Sequence, residues 1–264
     1  MEIITSRDNS KIKYVRSLNS KKSREQSCSF VVEGIKFVRE TILESSDVKF
    51  ILSSNSSLQK NEVAEIISIC QSKELECFVA EDEIFNSITD TINAQGILAV
   101  VNKPDYARDR VIQSSNFIIL CDRIQDPGNL GTIIRTADAF GPAIVLLNKG
   151  CVDPYNSKVV RATAGALFRV PVLTDLNNDE IFEILKSNDF KMISTVVKSD
   201  YSFDDVEKLN KICVVIGNEG SGVSREIQEN SEINITIKMS GRSESLNASI
   251  AAGISIYEIR KKLL

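Results

Sequence analysis

The sequence predicts an α/β protein in two parts: a small N-terminal α/β domain, then a larger α/β domain built on a mostly parallel sheet. Three observations carry that reading. A chain of 264 residues with 42% hydrophobic content suits two domains of ordinary size around separate cores. A polar stretch with one proline and no periodicity, KPDYARDRVIQSS (103–115), reads as a linker and divides the chain into residues 1–102 and 116–264. Beyond it, continuous apolar runs alternate with helical patterns, which is how strands covered on both faces read.

In the first part the chain opens on a basic arm. Arg7, Lys11, Lys13, Arg16, Lys21, Lys22 and Arg24 face only Glu2 and Asp8 between Met1 and Arg24, in a chain whose net charge is -4. Such an arm suits phosphates, and it equally suits a solvated helical face. FVVEG (30–34) then reads as a strand, followed by helical spacing at Ile35, Val38 and Ile42. VKFILS, a helix with Val63, Ile66, Ile67 and Cys70 on one face, a short strand near CFVA and the strand-like QGILAVV (95–101) complete this domain. In the second part FIILC, AIVLL, MISTVV, ICVVIG and ITIKM are the expected strands, and NLGTIIRTADAFG lies between the first two as a helix. Ligands of such sheets sit beyond the carboxyl ends of the strands.

Composition removes several kinds of chemistry. The chain has no histidine, so the usual general base, the usual zinc ligand and every Ser-His or Cys-His pair are missing. Six scattered cysteines with no C-x-x-C pair read as buried thiols of a reducing compartment, and no metal site is expected. Residues 1–20 hold no apolar h-region and no run approaches the ~18 apolar residues of a spanning helix, so a cytoplasmic protein without membrane insertion is expected.

Polar and glycine-rich residues collect in three loops. In DRIQDPGNLGTIIRTADAFG (122–141), Asp126-Pro127-Gly128 signals a turn, Asn129 is suited to cap the next helix, and Arg135 follows six residues on, amid Ile133, Ile134 and Ala137. GNEGSG (217–222) follows a strand and precedes a helix expected to start at Ser224. Its spacing is neither a dinucleotide nor a P-loop fingerprint, and Glu219 would repel a phosphate, so a hydroxyl, an amine or a cationic centre suits it better. MSGRSESLNAS (239–249) leads into a C-terminal helix rich in Ala, Gly and Ser around Leu246, Ile250 and Tyr257, packed in a core or at a dimer interface.

Together these loops resemble the signature motifs of the SpoU (TrmH-type) RNA ribose 2'-O-methyltransferases of the SPOUT class. N-x-G-x-x-x-R-T stands at Asn129 to Thr136, G-N-E-G-x-G at Gly217 to Gly222 and S-L-N-x-S at Ser245 to Ser249, and VVRATAGALFRVPV (159–172) is similar to the family as well. The resemblance covers residues 116–264. It implies a Rossmann-like catalytic domain with a C-terminal trefoil knot, one of the rare knotted folds. It also implies a homodimer with the active site near the subunit interface, and an S-adenosyl-L-methionine site at Gly217, Asn218, Glu219, Gly220, Ile237, Met239, Leu246 and Asn247. Arg135 would act at the ribose hydroxyl, with Glu219, Asn129, Asn247 and Ser245 as further catalytic-site residues. The N-terminal part resembles the ribosomal-protein-like substrate-binding domain that presents structured RNA, which favours the phosphate reading of the basic arm. Where many relatives have a proline after the isoleucine of the third motif, this chain has Lys238, which loosens that wall of the cofactor site. Methylation of ribosomal RNA is the expected activity. Transfer RNA as substrate, or a non-catalytic RNA-binding or ribosome-assembly role on the same scaffold, are the alternatives.

Overall fold

A computed structural model describes residues 3–44, 47–89, 94–141 and 143–263, so Met1 and Glu2 of the basic stretch lie outside the described residues. The chain forms two compact units, residues 1–105 together with 155–168, and residues 106–154 together with 169–264.

The first unit contains β1 (Ile3–Ile4), α1 (Ser10–Ser17), α2 (Lys21–Gln26), β2 (Ser29–Glu33), α3 (Ile35–Glu44), β3 (Val48–Ser54), α4 (Asn61–Ser72), β4 (Cys77–Ala80), α5 (Asp82–Asn86) and β5 (Ile97–Asn102). Its five strands run in the order β1-β4-β3-β5-β2. The basic stretch is folded structure and not a free arm. β1 pairs in parallel with β4, and Ile12, Val15 and Leu18 are buried against Phe50, Leu52 and Phe85. The face of α4 is the one its periodicity predicts, with Val63, Ile66, Ile67 and Cys70 all buried.

The second unit begins with α6 (Arg108–Gln113), a short helix inside the stretch that has no periodicity in the sequence; its Ile112 alone is buried, too little to set a pattern. It continues through β6 (Phe117–Asp122), α7 (Pro127–Ala139) and β7 (Ile144–Asn148). The chain then passes through α8 (Ser157–Ala162), which folds with the first unit, before β8 (Val172–Leu176), α9 (Asn178–Ser187), β9 (Lys191–Val196), β10 (Ile212–Gly217), α10 (Arg225–Glu229), β11 (Ile233–Thr236) and α11 (Ala248–Arg260). The six strands are all parallel, in the order β11-β9-β10-β6-β7-β8. Phe117 to Asp122 and Ile212 to Val215 are buried without a break, as a two-sided sheet requires. ITIKM, expected as a strand, departs from it: β11 ends at Thr236, and Ile237 to Met239 lie outside the ladder.

The six cysteines are free thiols, but only Cys70, Cys121 and Cys213 are buried; Cys77 and Cys151 are half-buried, and Cys28 is exposed at a left-handed backbone position (φ 48°). Among the described residues no helix is long and apolar enough to cross a membrane, and no group of three or more His, Cys, Asp or Glu stands together to hold a metal ion.

Candidate active site

Because β9, β10 and β6 are neighbours, their carboxyl ends share one stretch of sheet edge, and Gly217 lies in register with Asp122. The two polar loops that follow β6 and β10 therefore start side by side. Asp122 ties them together. Its side chain is fully buried, one oxygen accepting from Asn148 Nδ2 (2.6 Å) and Arg123 Nε (3.0 Å), the other from the Ser224 amide (2.5 Å). Burial works against the Asp122 charge, but the hydrogen bonds from Arg123, Ser224 and Asn148 outweigh it and hold the carboxyl below its usual range. Its ionised form contributes stability above the unfolded pKa of ~3.9, and that contribution is lost as pH falls through the lower folded value. We therefore expect Asp122→Asn to destabilise by ~2–3 kcal/mol at neutral pH, since the amide cannot accept from every donor aimed at it. Urea unfolding as a function of pH should show the difference from wild type shrinking below pH ~4; equal stabilities at neutral pH would refute the role.

The loop after β10 is a closed turn. Asn218 and Gly222 exchange both backbone hydrogen bonds (3.1 and 2.9 Å), with Gly222 at φ 66°. Asn218 Oδ1 accepts from the Gly220 amide (2.9 Å) and the Ser221 amide (3.0 Å), while its Nδ2 donates to the Arg123 carbonyl (2.8 Å). The amides that a phosphate loop would offer are thus engaged internally. Glu219 reaches back to the first loop. It accepts from Asn129 Nδ2 (2.9 Å), the Asp126 amide (3.2 Å) and the Gln125 amide (3.3 Å). Partial burial opposes its charge, yet those hydrogen bonds, together with its own backbone amide, keep it below the usual carboxylate range.

Asn129 was expected to cap α7. The cap is Asp126, whose side chain accepts from the Asn129 amide (2.8 Å) with Pro127 opening the helix, so Asn129 sits in the first turn with its own side chain free for other partners. It uses both ends. Besides donating to Glu219, it accepts from Asn247 Nδ2 (2.9 Å), and Asn247 is itself the cap of α11 through the Ser249 amide (2.9 Å). The relay Asn247–Asn129–Glu219 joins all three motifs.

Beside this relay lies a cavity of 540 Å³, within the ~300–1,000 Å³ typical of small-ligand sites. Gly217, Asn218, Glu219, Gly220, Ile237, Met239 and Leu246, all expected at the cofactor, line it, and so does Ser245; Asn247 is not among the lining residues. The sequence reading missed Thr195 to Lys198, which also line it. Their signal was available, since they follow the carboxyl end of the MISTVV strand. Arg135 is not part of the lining: it is exposed on α7. Lys238 is exposed too, and its charge is one of the influences that hold Asp205 ionised, after the hydrogen bonds from Ser202.

The basic residues of the first unit divide. Arg7, Lys13, Arg16, Lys21 and Lys22 are exposed, with Lys13 on Asp8 (2.8 Å) and Lys21 near Glu25 (3.5 Å). Lys11 pairs with Glu76 (3.0 Å) above the rings of Phe50 and Phe78. Arg24 is 4% exposed and donates to the carbonyls of Leu18 (2.7 Å) and Asn19 (3.0 Å).

The cavity combines an apolar lining from Val196, Ile216, Leu246 and Ala251 with the carboxylates of Glu219 and Glu244. It suits a ligand with an apolar body and a positive centre, as the sulfonium and adenosine of S-adenosyl-L-methionine are. Fold and cavity together describe a small-ligand site at the carboxyl ends of a parallel sheet. The chain belongs to the SpoU rRNA Methylase family, which matches residues 116–257, and residues 9–99 match the MRM3-like substrate binding domain. It is 31% identical over 260 residues to the 23S rRNA (guanosine(2553)-2'-O)-methyltransferase RlmP of Bacillus subtilis, covering 98% of this chain and 100% of that protein. The AdoMet-bound rRNA methyltransferase from Sinorhizobium meliloti superposes with a TM-score of 0.86 at 27% identity, covering 100% of this chain and 98% of the other. The SpoU methyltransferase AviRb from Streptomyces viridochromogenes, in complex with AdoMet, shares the fold with a TM-score of 0.87 at 24% identity, covering 96% and 98%. The activity is S-adenosyl-L-methionine-dependent 2'-O-methylation of RNA ribose.

Proposed function

We propose that the substrate is 23S ribosomal RNA, that the enzyme works in the cytoplasm as a homodimer, and that Arg135 acts at the ribose hydroxyl. The cavity joined to the Asn247–Asn129–Glu219 relay carries this reading, and the full-length similarity to a 23S rRNA methyltransferase supports the RNA. When bound, S-adenosyl-L-methionine supplies an electrophilic methyl group on a leaving sulfonium. The protein's share is then alignment and management of the hydroxyl proton. A guanidinium donates hydrogen bonds and does not accept protons, so Arg135 stabilises the developing alkoxide and the neighbouring phosphate. Glu219, with its oxygens engaged by four donors and its charge stabilised, is a clamp between loops and a weak base. Asn129 and Asn247 hold the same loops through hydrogen bonds, and Ser245 lines the cavity. The trefoil knot draws support from the path of the chain, which leaves the edge strand β11 and returns to pack α11 against α7 and β10.

An exposed apolar face supports the homodimer. Phe140 (40% exposed), just past the end of α7, and Ile250 (54%) and Tyr257 (49%) on α11 stand out, with the rings of Phe140 and Tyr257 5.7 Å apart. Tyr257→Asp is expected to shift the protein to a monomer and to depress methyl transfer with it. Light scattering alongside turnover checks this, and an active monomer of the wild-type protein would overturn it. The RNA itself is tested by incubating the protein and S-adenosyl-L-methionine with unmodified 23S rRNA and mapping ribose methylation. The guanosine equivalent to the position modified by the Bacillus relative is examined first; methylation of transfer RNA alone would refute the proposal.

A further inference from the structure

The first unit holds a second recess, a cavity of 330 Å³, for which the methyl-transfer chemistry gives no use. It is lined by the cations Arg24, Lys158 and Arg161, by the amides Asn19 and Asn156, and by one carboxylate, Glu33. One wall comes from the segment Tyr155–Phe168, which meets β2 through ring contacts of Phe30, tilted against Tyr155 (ring centroids 5.0 Å) and stacked on Phe168 (6.1 Å). Val159 and Val160 are buried beneath, which fixes the turn of α8 that carries Lys158 and Arg161 three residues apart on one side.

Arg161 is the informative member. Its Nη1 is enclosed and has no hydrogen-bond partner. A guanidinium stays charged at every physiological pH, and a buried donor without an acceptor is destabilising. Such groups are scarce in native proteins, and each calls for a water, an ion or a ligand to complete it. An acceptor that enters this recess should be anionic, because cations outnumber carboxylates on its lining, and the planar fork of arginine matches the paired oxygens of a phosphate. We propose that this recess is a phosphodiester site for the RNA substrate, in which Arg161 takes a backbone phosphate and Lys158 contributes a second positive charge at its rim. The proposal rests on the reading of the enzyme as a ribosomal RNA methyltransferase and adds a contact that is independent of sequence in the RNA.

The test uses the full-length protein and a fluorescent transcript of the 23S rRNA region found to be methylated, with affinity followed by anisotropy at several salt concentrations. Arg161→Gln should weaken binding about tenfold and flatten the slope of log affinity against log salt by about one. Arg161→Lys should keep the slope and lose only part of the affinity, and S-adenosyl-L-methionine binding by calorimetry should be unchanged in both. Lys158→Gln, on an exposed side chain, should also flatten the slope and serves if Arg161→Gln melts early. Unchanged affinity and slope in Arg161→Gln or, should that variant not fold, in Lys158→Gln would overturn the site, including where inorganic phosphate still binds the wild-type recess. Failure of the wild-type protein to bind or methylate the 23S transcript would instead overturn the underlying reading of the substrate.

Discussion

Arg135→Ala is expected to lower the rate of methyl transfer by about 10²–10³-fold, the usual consequence of deleting a donor aimed at developing negative charge, while S-adenosyl-L-methionine still binds. The geometry separates the two effects. Arg135 lies outside the lining of the cavity and is exposed on α7, whereas the neighbouring Ile133, Ile134 and Ala137 are buried and hold the helix. Truncating an exposed side chain should leave stability within about 0.5 kcal/mol. Single-turnover kinetics with saturating cofactor, together with calorimetry, distinguish the outcomes. A normal rate would remove Arg135 from catalysis, and lost cofactor affinity would reassign it to that site. Arg135→Lys keeps the charge without the fork, so partial activity there would locate its function in charge more than in geometry.

What the sequence disclosed followed from what each kind of signal can encode. Periodicity located the buried faces of α4 and the unbroken apolar strands β6 and β10, because burial on one or both sides dictates residue type directly. It misplaced the end of β11, where Ile237 and Met239 are apolar because they line a cavity and not because they lie in the sheet. Local capping preference pointed to Asn129, but Asp126 two residues before Gly128 satisfies the same rule, and only the partners Glu219 and Asn247, 90 and 118 residues away, show why Asn129 is needed elsewhere. Asp122 stands at the end of FIILC, where nothing in the neighbouring residues marks its role. A single carboxylate after an apolar run does not reveal that donors from Asn148 and Ser224 converge on it. The basic stretch shows the same limit: its charge count was legible, but not that Arg24 turns inward to its own backbone while Lys22 remains exposed.

Gly217→Ala should be the most damaging change of a single methyl in the catalytic unit. A Cβ at Gly217 would collide with the backbone of Gly222 and Val223, the returning arm of the closed turn, and backbone cannot give way as a flexible side chain can. The same turn carries Asn218 and Glu219, so opening it would move the cavity wall and loosen the bridge to Asn129 together. Overpacking of this kind costs ~1–3 kcal/mol, and a displacement near 1 Å at a reacting centre lowers rates about 10²-fold. Gly220→Ala supplies the contrast, because a Cβ there would meet only Asn218 Oδ1 at 3.7 Å, an ordinary contact. We expect Gly217→Ala to lower the melting temperature and to weaken S-adenosyl-L-methionine binding together with turnover, and Gly220→Ala to leave the melting temperature unchanged. Equal behaviour of the two variants would mean that the close backbone approach at Gly217 does not shape the cofactor site.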